Sequence, residues 1–139
     1  MFLLDTNIIS ELRKPKPHGV VLAWFQDVPA SLLFLCAVTV GELQSGIEKT
    51  REQNPAKASE IESWLENLSE SVHILPMDVE CFREYARLIH CKSHDLVEDA
   101  MIAATARVHR LTVVTRNIKD FRYFSVETFN PFQYRPEQG

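Results

Sequence analysis

The sequence predicts an α/β fold, in which an α/β/α sandwich surrounds a central, mainly parallel sheet. Short apolar runs alternate along the chain with longer helical patterns, and this alternation is typical of a parallel sheet with helices on both faces. Turn residues separate the elements, since Pro76 and Pro131 each follow a strand candidate. For 139 residues we expect a single domain, residues 1–139, with an irregular tail from about residue 130 to residue 139.

Five apolar runs are strand candidates. They cover residues 2–4, 32–38, 72–75, 112–115 and 125–129. The three middle runs are almost continuously apolar, which predicts strands that are buried on both faces of a parallel sheet. The last run is the weakest of the five.

Six stretches carry helical patterns. They cover residues 8–13, 20–26, 40–51, 56–70, 79–89 and 96–109. Within residues 56–70, the apolar side chains at positions 61, 64, 65 and 68 recur at i, i+3, i+4 and i+7, which predicts one apolar helix face.

The net charge and the apolar runs of the sequence argue against several classes of protein. The formal net charge of −4 lacks the basic excess of most nucleic-acid-binding domains, so any attraction for RNA or DNA must be local. The first residues, MFLLD, contain no basic region of a signal peptide, and no apolar run approaches the roughly 20 residues that span a bilayer. We therefore expect a cytoplasmic protein without a membrane segment.

The three cysteines predict neither a disulfide framework nor a zinc site. Cys36, Cys81 and Cys91 form an odd set without C-x-x-C spacing. Apolar neighbours surround Cys36 and Cys81, so we expect both to be core thiols.

Four acids lie where a strand ends or a helix begins. Asp5 follows the first strand candidate, Glu42 and Asp99 lie near the starts of helices, and Asp120 lies in the loop after the fourth strand candidate. The carboxyl ends of the strands in an open α/β sheet line the crevice where ligands bind. These four side chains can therefore converge.

Three of the four acids also have a purely structural interpretation. Asp5 can cap the helix that follows it. Thr39 and Glu42 match the capping box T-x-x-E. Asp120 can be a loop acid that bonds its own backbone. Each alternative stays open for the residue taken singly.

Asp99 has no comparable structural role. Its helical neighbours at i+3, i+4 and i+7 are apolar, and Asp95 adds a like charge four residues earlier. A cap formed by Asp95 and Glu98 would employ two of the acids in this segment and leave Asp99 unused. We therefore expect Asp99 to be functional.

A cluster of these carboxylates is unstable unless some of them are protonated or a cation lies among them. Two carboxylates about 4 Å apart repel by roughly 4 kcal/mol at an effective dielectric constant near 20. Oxygen ligands without cysteine or histidine favour a hard ion, and Mg²⁺ or Mn²⁺ is usual around phosphates. The pattern therefore predicts phosphodiester chemistry.

Four segments resemble PIN-domain ribonucleases, and specifically the VapC-type toxins of type II toxin–antitoxin systems, including the FitB-like branch. The segments are LLDTNIISEL (3–12), AVTVGELQSGIE (37–48), EDAMIAATARVHRLTVVTRNIKDF (98–121) and FNPF (129–132). They occur in the same order and spacing as in that family, and the match runs nearly end to end.

The resemblance implies a PIN-like domain with a catalytic acidic site. The catalytic residues would be Asp5, Glu42, Asp99 and Asp120, with Asp5 and Asp99 as metal ligands. The supporting residues would be Thr6, Asn7, Thr115 and Asn117. Some relatives have an acid at the position of Asn117, so either Asp120 or Asn117 could contact the metal. Helical geometry turns Glu98 about 100° away from Asp99, which favours Asp99 as the ligand.

The implied activity is that of a Mg²⁺-dependent endoribonuclease toxin, with Mn²⁺ as a possible substitute. A metal-activated water would hydrolyse the phosphodiester bond, and transfer RNA is the first substrate to test. The implied partners are a cognate VapB-like antitoxin and the RNA substrate. The resemblance also implies a homodimer, or a heteromer with the antitoxin.

Two alternatives belong to other functional classes. One is a non-catalytic PIN-like domain for RNA binding or scaffolding, which would be favoured by loss of a ligand acid. The other is a receiver-like signalling module with a phosphoacceptor aspartate. A receiver would carry paired acids after the first strand and a lysine after the last, whereas LLDTN contains one acid.

Overall fold

Five short strands form one parallel sheet in the computed structural model, which describes residues 1–136. The strands are β1 (Phe2–Leu4), β2 (Leu33–Cys36), β3 (His73–Leu75), β4 (Thr112–Val114) and β5 (Thr128–Phe129). Their order in the sheet is β3-β2-β1-β4-β5, and every neighbouring pair is parallel. From β1 the chain adds β2 and β3 on one side and then β4 and β5 on the other, so the strand order reverses between β1 and β4. In α/β folds, a ligand-binding crevice opens at such a switch point, at the carboxyl ends of the strands.

Helices connect the strands and cover both faces of the sheet. They are α1 (Thr6–Arg13), α2 (Gly19–Asp27), α3 (Ala37–Gln53), α4 (Pro55–Ser71), α5 (Val79–Ile89), α6 (Val97–His109) and α7 (Ile118–Phe121). Single 3-10 turns occupy Ala30–Leu32, His94–Leu96, Arg122–Phe124 and Pro131–Gln133. The predicted α/β/α sandwich is confirmed.

Alternating side chains of the sheet build two separate cores. Leu3 and Val113 pack with the alanine-rich face of α6 in one core. Leu4 and Val114 pack on the opposite face with apolar residues of α1 and α2. This division follows from strand geometry, because successive side chains point to opposite faces.

The prediction of which strands are buried was partly wrong. The first strand candidate becomes the central strand β1, in which Leu3 and Leu4 are fully buried. The third candidate becomes β3 at one edge of the sheet, where His73 and Ile74 are exposed. Strand order depends on contacts between distant residues, so local hydrophobicity could not reveal it.

Both predicted capping boxes are wrong. α3 begins at Ala37 with Cys36 as its N-cap, so residues 39–42 lie inside the helix. In the segment 95–98, Leu96 is the N-cap of α6 and makes no side-chain cap. Ser93 instead caps the preceding 3-10 turn. α3 starts earlier than predicted because the apolar strand β2 continues directly into it, without a polar residue between them.

The predicted irregular tail, residues 130–139, contains an ordered turn. Pro131–Gln133 form a 3-10 turn that packs on α2, and the backbone N–H of Phe132 donates to Asn130 Oδ1 at 3.0 Å. Pro131 is buried. An Asn cap followed by proline favours this turn. Residues 137–139 of the predicted tail lie outside the described residues.

The burial of Cys36 and Cys81 agrees with the expectation that both are core thiols. All three cysteines are free thiols, with Cys36 and Cys81 buried and Cys91 exposed. Among the helices of residues 1–136, none has both the length and the apolar character needed to cross a bilayer.

Candidate active site

Strands β1 and β4 place two polar residues side by side at the carboxyl edge of the sheet. Leu4 and Val114 are paired, and each is the last residue of its strand. Asp5 and Thr115 follow directly, and the backbone N–H of Asp5 donates to Val114 O at 2.9 Å. The sheet register therefore fixes the first predicted catalytic acid beside a predicted supporting residue.

The Asp5 carboxylate is held by three hydrogen bonds. Its Oδ1 accepts from the backbone N–H of Thr6 at 2.8 Å. Its Oδ2 accepts from Thr115 Oγ1 at 2.8 Å and from Asn7 Nδ2 at 3.1 Å. Asp5 is also the N-cap of α1, so the structural interpretation of this residue is correct and coexists with a place in the acidic cluster. Burial raises the pKa of Asp5 above its usual range, even though these bonds act to lower it.

Thr115 is the centre of a network that joins three predicted supporting residues. Its fully buried hydroxyl accepts from Asn7 Nδ2 at 3.3 Å and from the backbone N–H of Asn117 at 3.0 Å, while it donates to Asp5. Asn7 Oδ1 in turn accepts from the backbone N–H of Arg116 at 3.4 Å. The network fixes the orientation of the Asp5 carboxylate from the β4 side.

Thr6 connects Asp5 to Glu42. Glu42 lies in the second turn of α3, and its Oε1 accepts from Thr6 Oγ1 at 2.9 Å. Thr6 therefore binds one carboxylate through its backbone and another through its hydroxyl. The fully buried Thr39 lies 3.4 Å from the same hydroxyl. The capping box predicted for Thr39 does not reveal this contact, although its spacing of three residues from Glu42 predicts a shared helix face.

Asp99 reaches the same edge of the sheet from the opposite layer. α6 precedes β4 in the chain and runs antiparallel to it, so the N-terminal turn of α6, with Glu98 and Asp99, lies near the carboxyl ends of the strands. Burial and the charges of Asp5, Asp120, Glu42 and Glu98, in that order, raise the pKa of Asp99 to about 7. A charge shifts the pKa of another group only when the two are close together. The four predicted acids therefore lie near one another and share one electrostatic environment.

Asp120 lies in the short helix α7 and not in an open loop. Its backbone N–H donates to Asn117 O at 3.1 Å, and Asn117 occupies the N-cap position of this helix. The Asp120 charge raises the pKa of both Asp5 and Asp99. A four-residue helix is too short for a hydrophobic period, which explains why the sequence predicted a loop.

Glu98 adds a fifth carboxylate to the field of the site, although the sequence favours Asp99 over Glu98 as the metal ligand. It is exposed in the first turn of α6. Burial raises the pKa of Glu42, and the charges of Glu98 and Asp5 raise it further. The adjacency of Glu98 and Asp99 in the sequence could have indicated this role. Neighbouring side chains of a helix point about 100° apart, but each remains within the electrostatic field of the other.

The donor set fits a hard divalent cation with an incomplete protein shell. Within residues 1–136, no three acidic, histidine or cysteine side chains come close enough to hold a metal ion by themselves. The site offers carboxylate, hydroxyl and amide oxygens, and Mg²⁺ is usually held by one or two carboxylates with waters and phosphate oxygens. The charge of Asp5 raises the pKa of Asp99, so these two carboxylates are the candidates for such a pair.

The clustered carboxylates form a region of negative charge that a bound cation would neutralise. Carboxylates whose pKa values are raised by burial and by one another gain stability when a cation binds among them. Fixed donors hold the Asp5 and Glu42 oxygens in place before any ligand arrives. This geometry suits binding of a hard cation and of phosphate groups bridged by it.

Comparison with known proteins agrees with the fold. Residues 2–125 match the PIN domain family. Toxin FitB of Neisseria gonorrhoeae is 36% identical, with 95% of this chain and 99% of FitB aligned. VapC ribonuclease Y4jK of Sinorhizobium fredii is 33% identical over 96% of this chain and 99% of its own length. The crystal structure of FitAcB from Neisseria gonorrhoeae superposes with a TM-score of 0.85 at 35% identity, over 96% of this chain and 100% of the other. The chain therefore belongs to the PIN-domain family, in the branch that includes FitB and VapC.

Proposed function

We propose that this protein is a Mg²⁺-dependent endoribonuclease toxin that hydrolyses RNA phosphodiester bonds. The observation that carries the proposal is the shared field of Asp5, Glu42, Asp99 and Asp120, which raises the pKa of Asp99 to about 7. The names of the relatives, Toxin FitB and VapC ribonuclease, support the same activity. The proposed first substrate is transfer RNA.

Asp5 and Asp99 are the proposed metal ligands, and Mn²⁺ is the proposed substitute for Mg²⁺. The chemistry supplied by the bound ion is a lower pKa for water and neutralisation of charge on the phosphate. Thr115, Asn7 and the backbone of Thr6 orient the Asp5 carboxylate. These fixed donors keep the oxygens in place at no reorganisation cost during the reaction.

Glu42 and Asp120 are proposed to complete the acidic site. Thr6 Oγ1 fixes one oxygen of Glu42 and leaves the other available. Asp120 is half-buried and is placed by α7, whose N-cap Asn117 is bonded to Thr115. Either Asp120 or the Asn117 amide can face the ion on the β4 side.

A cognate VapB-like antitoxin is the proposed protein partner. An arginine would pair bidentately with these carboxylates and neutralise the charge that a metal otherwise neutralises. The proposed assembly is a cytoplasmic homodimer, or a heteromer with the antitoxin. Light scattering of the purified chain with and without the antitoxin measures this state.

The activity is tested by incubating the purified chain with total RNA and with transfer RNA. We expect discrete cleavage in MgCl₂ or MnCl₂ and none in excess EDTA. Asp99→Asn should abolish cleavage. Asp95→Asn is the matched control, because Asp95 is an exposed acid four residues earlier that does not contribute to the raised pKa of Asp99.

Two results would contradict this proposal. Cleavage that persists in EDTA would show that the reaction does not need a metal ion. Full activity of Asp99→Asn would show that Asp99 is not an essential ligand. Glu98→Gln distinguishes the role of Glu98 from that of Asp99, and we expect this variant to retain most of the cleavage activity.

A further inference from the structure

A groove lined by cations lies between the end of α1 and the side of α4. It encloses about 340 Å³. Its lining includes Arg13, Lys14, Lys57, Glu60, Ile61 and Trp64. We call this surface the basic groove. Three cations against one acid give it a local positive charge in a chain whose formal net charge is −4.

The basic groove is continuous with the acidic site. A second cleft of about 260 Å³ runs between α1 and α3, and its lining includes Thr6 and Glu42. The two clefts share Arg13 and Ile61. The helical rise from Thr6 to Arg13 is roughly 10 Å, which a short run of nucleotides spans. One path therefore leads from the proposed point of cleavage to the cations.

Two of the three cations are not engaged by the chain itself. Arg13 and Lys57 are exposed and take part in none of the ion pairs formed within residues 1–136. Lys14 lies 3.2 Å from Glu11 and keeps 59% of its side chain exposed. Arg13 and Lys57 can therefore bind an anion without breaking an internal pair.

Trp64 supplies an aromatic surface in the same groove. Part of its ring packs with Ile61 against the core between α3 and α4, and the rest lines the groove. Base stacking on exposed aromatic rings, together with cations that bind the phosphates, is the usual way in which proteins hold single-stranded nucleic acid.

We propose that the basic groove binds the single-stranded part of the RNA substrate beyond the bond that is cut, with phosphates on Arg13 and Lys57 and a base against Trp64. This inference rests on the proposed ribonuclease function. Positive lining, an aromatic surface and continuity with Glu42 favour RNA over a peptide as the occupant. The groove thereby compensates locally for the overall negative charge.

Binding is measured in EDTA, where no cleavage is expected, by fluorescence anisotropy with a short, unstructured, labelled RNA oligonucleotide. The double variant Arg13→Ala/Lys57→Ala should bind about tenfold more weakly near 0.1 M salt, and its plot of log K against log salt should be shallower by about 1.4, or about 0.7 for each lost phosphate contact. Arg13→Lys/Lys57→Arg keeps both charges and should keep the wild-type slope.

The matched control removes the same number of charges on the opposite layer. Arg83 and Lys92 are exposed in α5 and in the turn after it. Arg83→Ala/Lys92→Ala should leave the RNA affinity and its salt dependence at their wild-type values.

Trp64 gives a second readout that does not depend on charge. Trp24 is only 3% exposed, so RNA should change the fluorescence of Trp64 alone. Titration with RNA should quench the wild-type emission, and Trp64→Phe should show no change that depends on RNA.

The two proposals fail in distinguishable ways. Binding that depends on Arg13 and Lys57, without cleavage in MgCl₂, would defeat the ribonuclease proposal and leave the groove assignment standing. No RNA binding by the wild type, or equal salt slopes for the wild type and Arg13→Ala/Lys57→Ala, would overturn the groove assignment. Loss of antitoxin binding with unchanged RNA binding in that variant would overturn it too, and would assign the groove to a protein partner.

Discussion

Thr6 donates a hydrogen bond from its Oγ1 to Glu42 Oε1 at 2.9 Å, and this bond joins the first turn of α1 to the second turn of α3. Thr6→Val keeps the shape of the side chain and removes the donor, while the backbone bond to Asp5 remains. We expect the free energy of unfolding to fall by about 1–2 kcal/mol, because a partly buried acceptor loses its partner. RNA cleavage should fall as well. Urea unfolding and a cleavage assay measure the two effects.

Thr6→Ser is the control for this substitution, because serine retains the hydroxyl. It should restore cleavage to near the wild-type rate. Equal losses for the valine and serine variants would contradict this role of the hydroxyl, because serine can still donate to Glu42.

The stability of the metal-free protein should fall as the pH rises. The pKa of Asp99 is about 7 in the folded protein against an ordinary value of 3.8, so between these values the native state binds more protons than the unfolded state. The free energy of unfolding therefore decreases from about pH 4 to about pH 7. Asp99 is partly exposed, so we expect a loss of about 1–2 kcal/mol and not the full value.

Asp99→Asn should flatten this dependence. Urea unfolding in EDTA at pH 5 and at pH 8 measures it, and Asp95→Asn should keep the wild-type slope. Asp5 and Glu42, whose pKa values are also raised, contribute in the same direction. Parallel pH curves for wild type and Asp99→Asn would contradict the shift.

Magnesium should stabilise the protein most where its acids are ionised. A ligand that binds only the native state adds about 2.7 kcal/mol at a hundred times its Kd. We therefore expect MgCl₂ to raise the Tm at pH 8, and to raise it less at pH 5, where Asp99 is protonated. Thermal unfolding with Mg²⁺ and with EDTA measures this effect. An equal rise in Asp5→Asn/Asp99→Asn would place the ion elsewhere.

The close contact between α6 and the sheet depends on small side chains. Ala103 is fully buried in the core that contains Leu3 and Val113. Ala103→Leu adds three carbon atoms to this core, and we expect it to destabilise the protein by about 1–3 kcal/mol. Urea unfolding measures the loss. Ala86→Leu, at an exposed position of α5, should change the stability by less than about 0.5 kcal/mol.

Local patterns were sufficient to predict most of the fold. The period of the apolar residues located α4 and α5, and the carboxyl-edge rule selected Asp5 and Asp99. The order of the strands could not be predicted from local patterns. β1 becomes central because it pairs with β2 on one side and, on the other, with β4, which is more than a hundred residues away. For the same reason, hydrophobicity could not distinguish the edge strand β3 from a buried one.

The details of the site depended on contacts that no local pattern contains. The bond from Thr6 to Glu42 spans 36 residues, and the sequence offered only a capping box for this region. The electrostatic role of Glu98 likewise follows from the position of α3 relative to α6, since its charge acts on Glu42.

The hydrogen bond from Thr115 to Asp5 joins positions 110 residues apart. During synthesis, the segments that contain Asp5 and Glu42 are made well before β4. The orientation of the Asp5 carboxylate therefore waits for the last fifth of the polypeptide. A nascent or truncated chain that ends before residue 115 therefore lacks the hydroxyl that fixes this carboxylate from the β4 side.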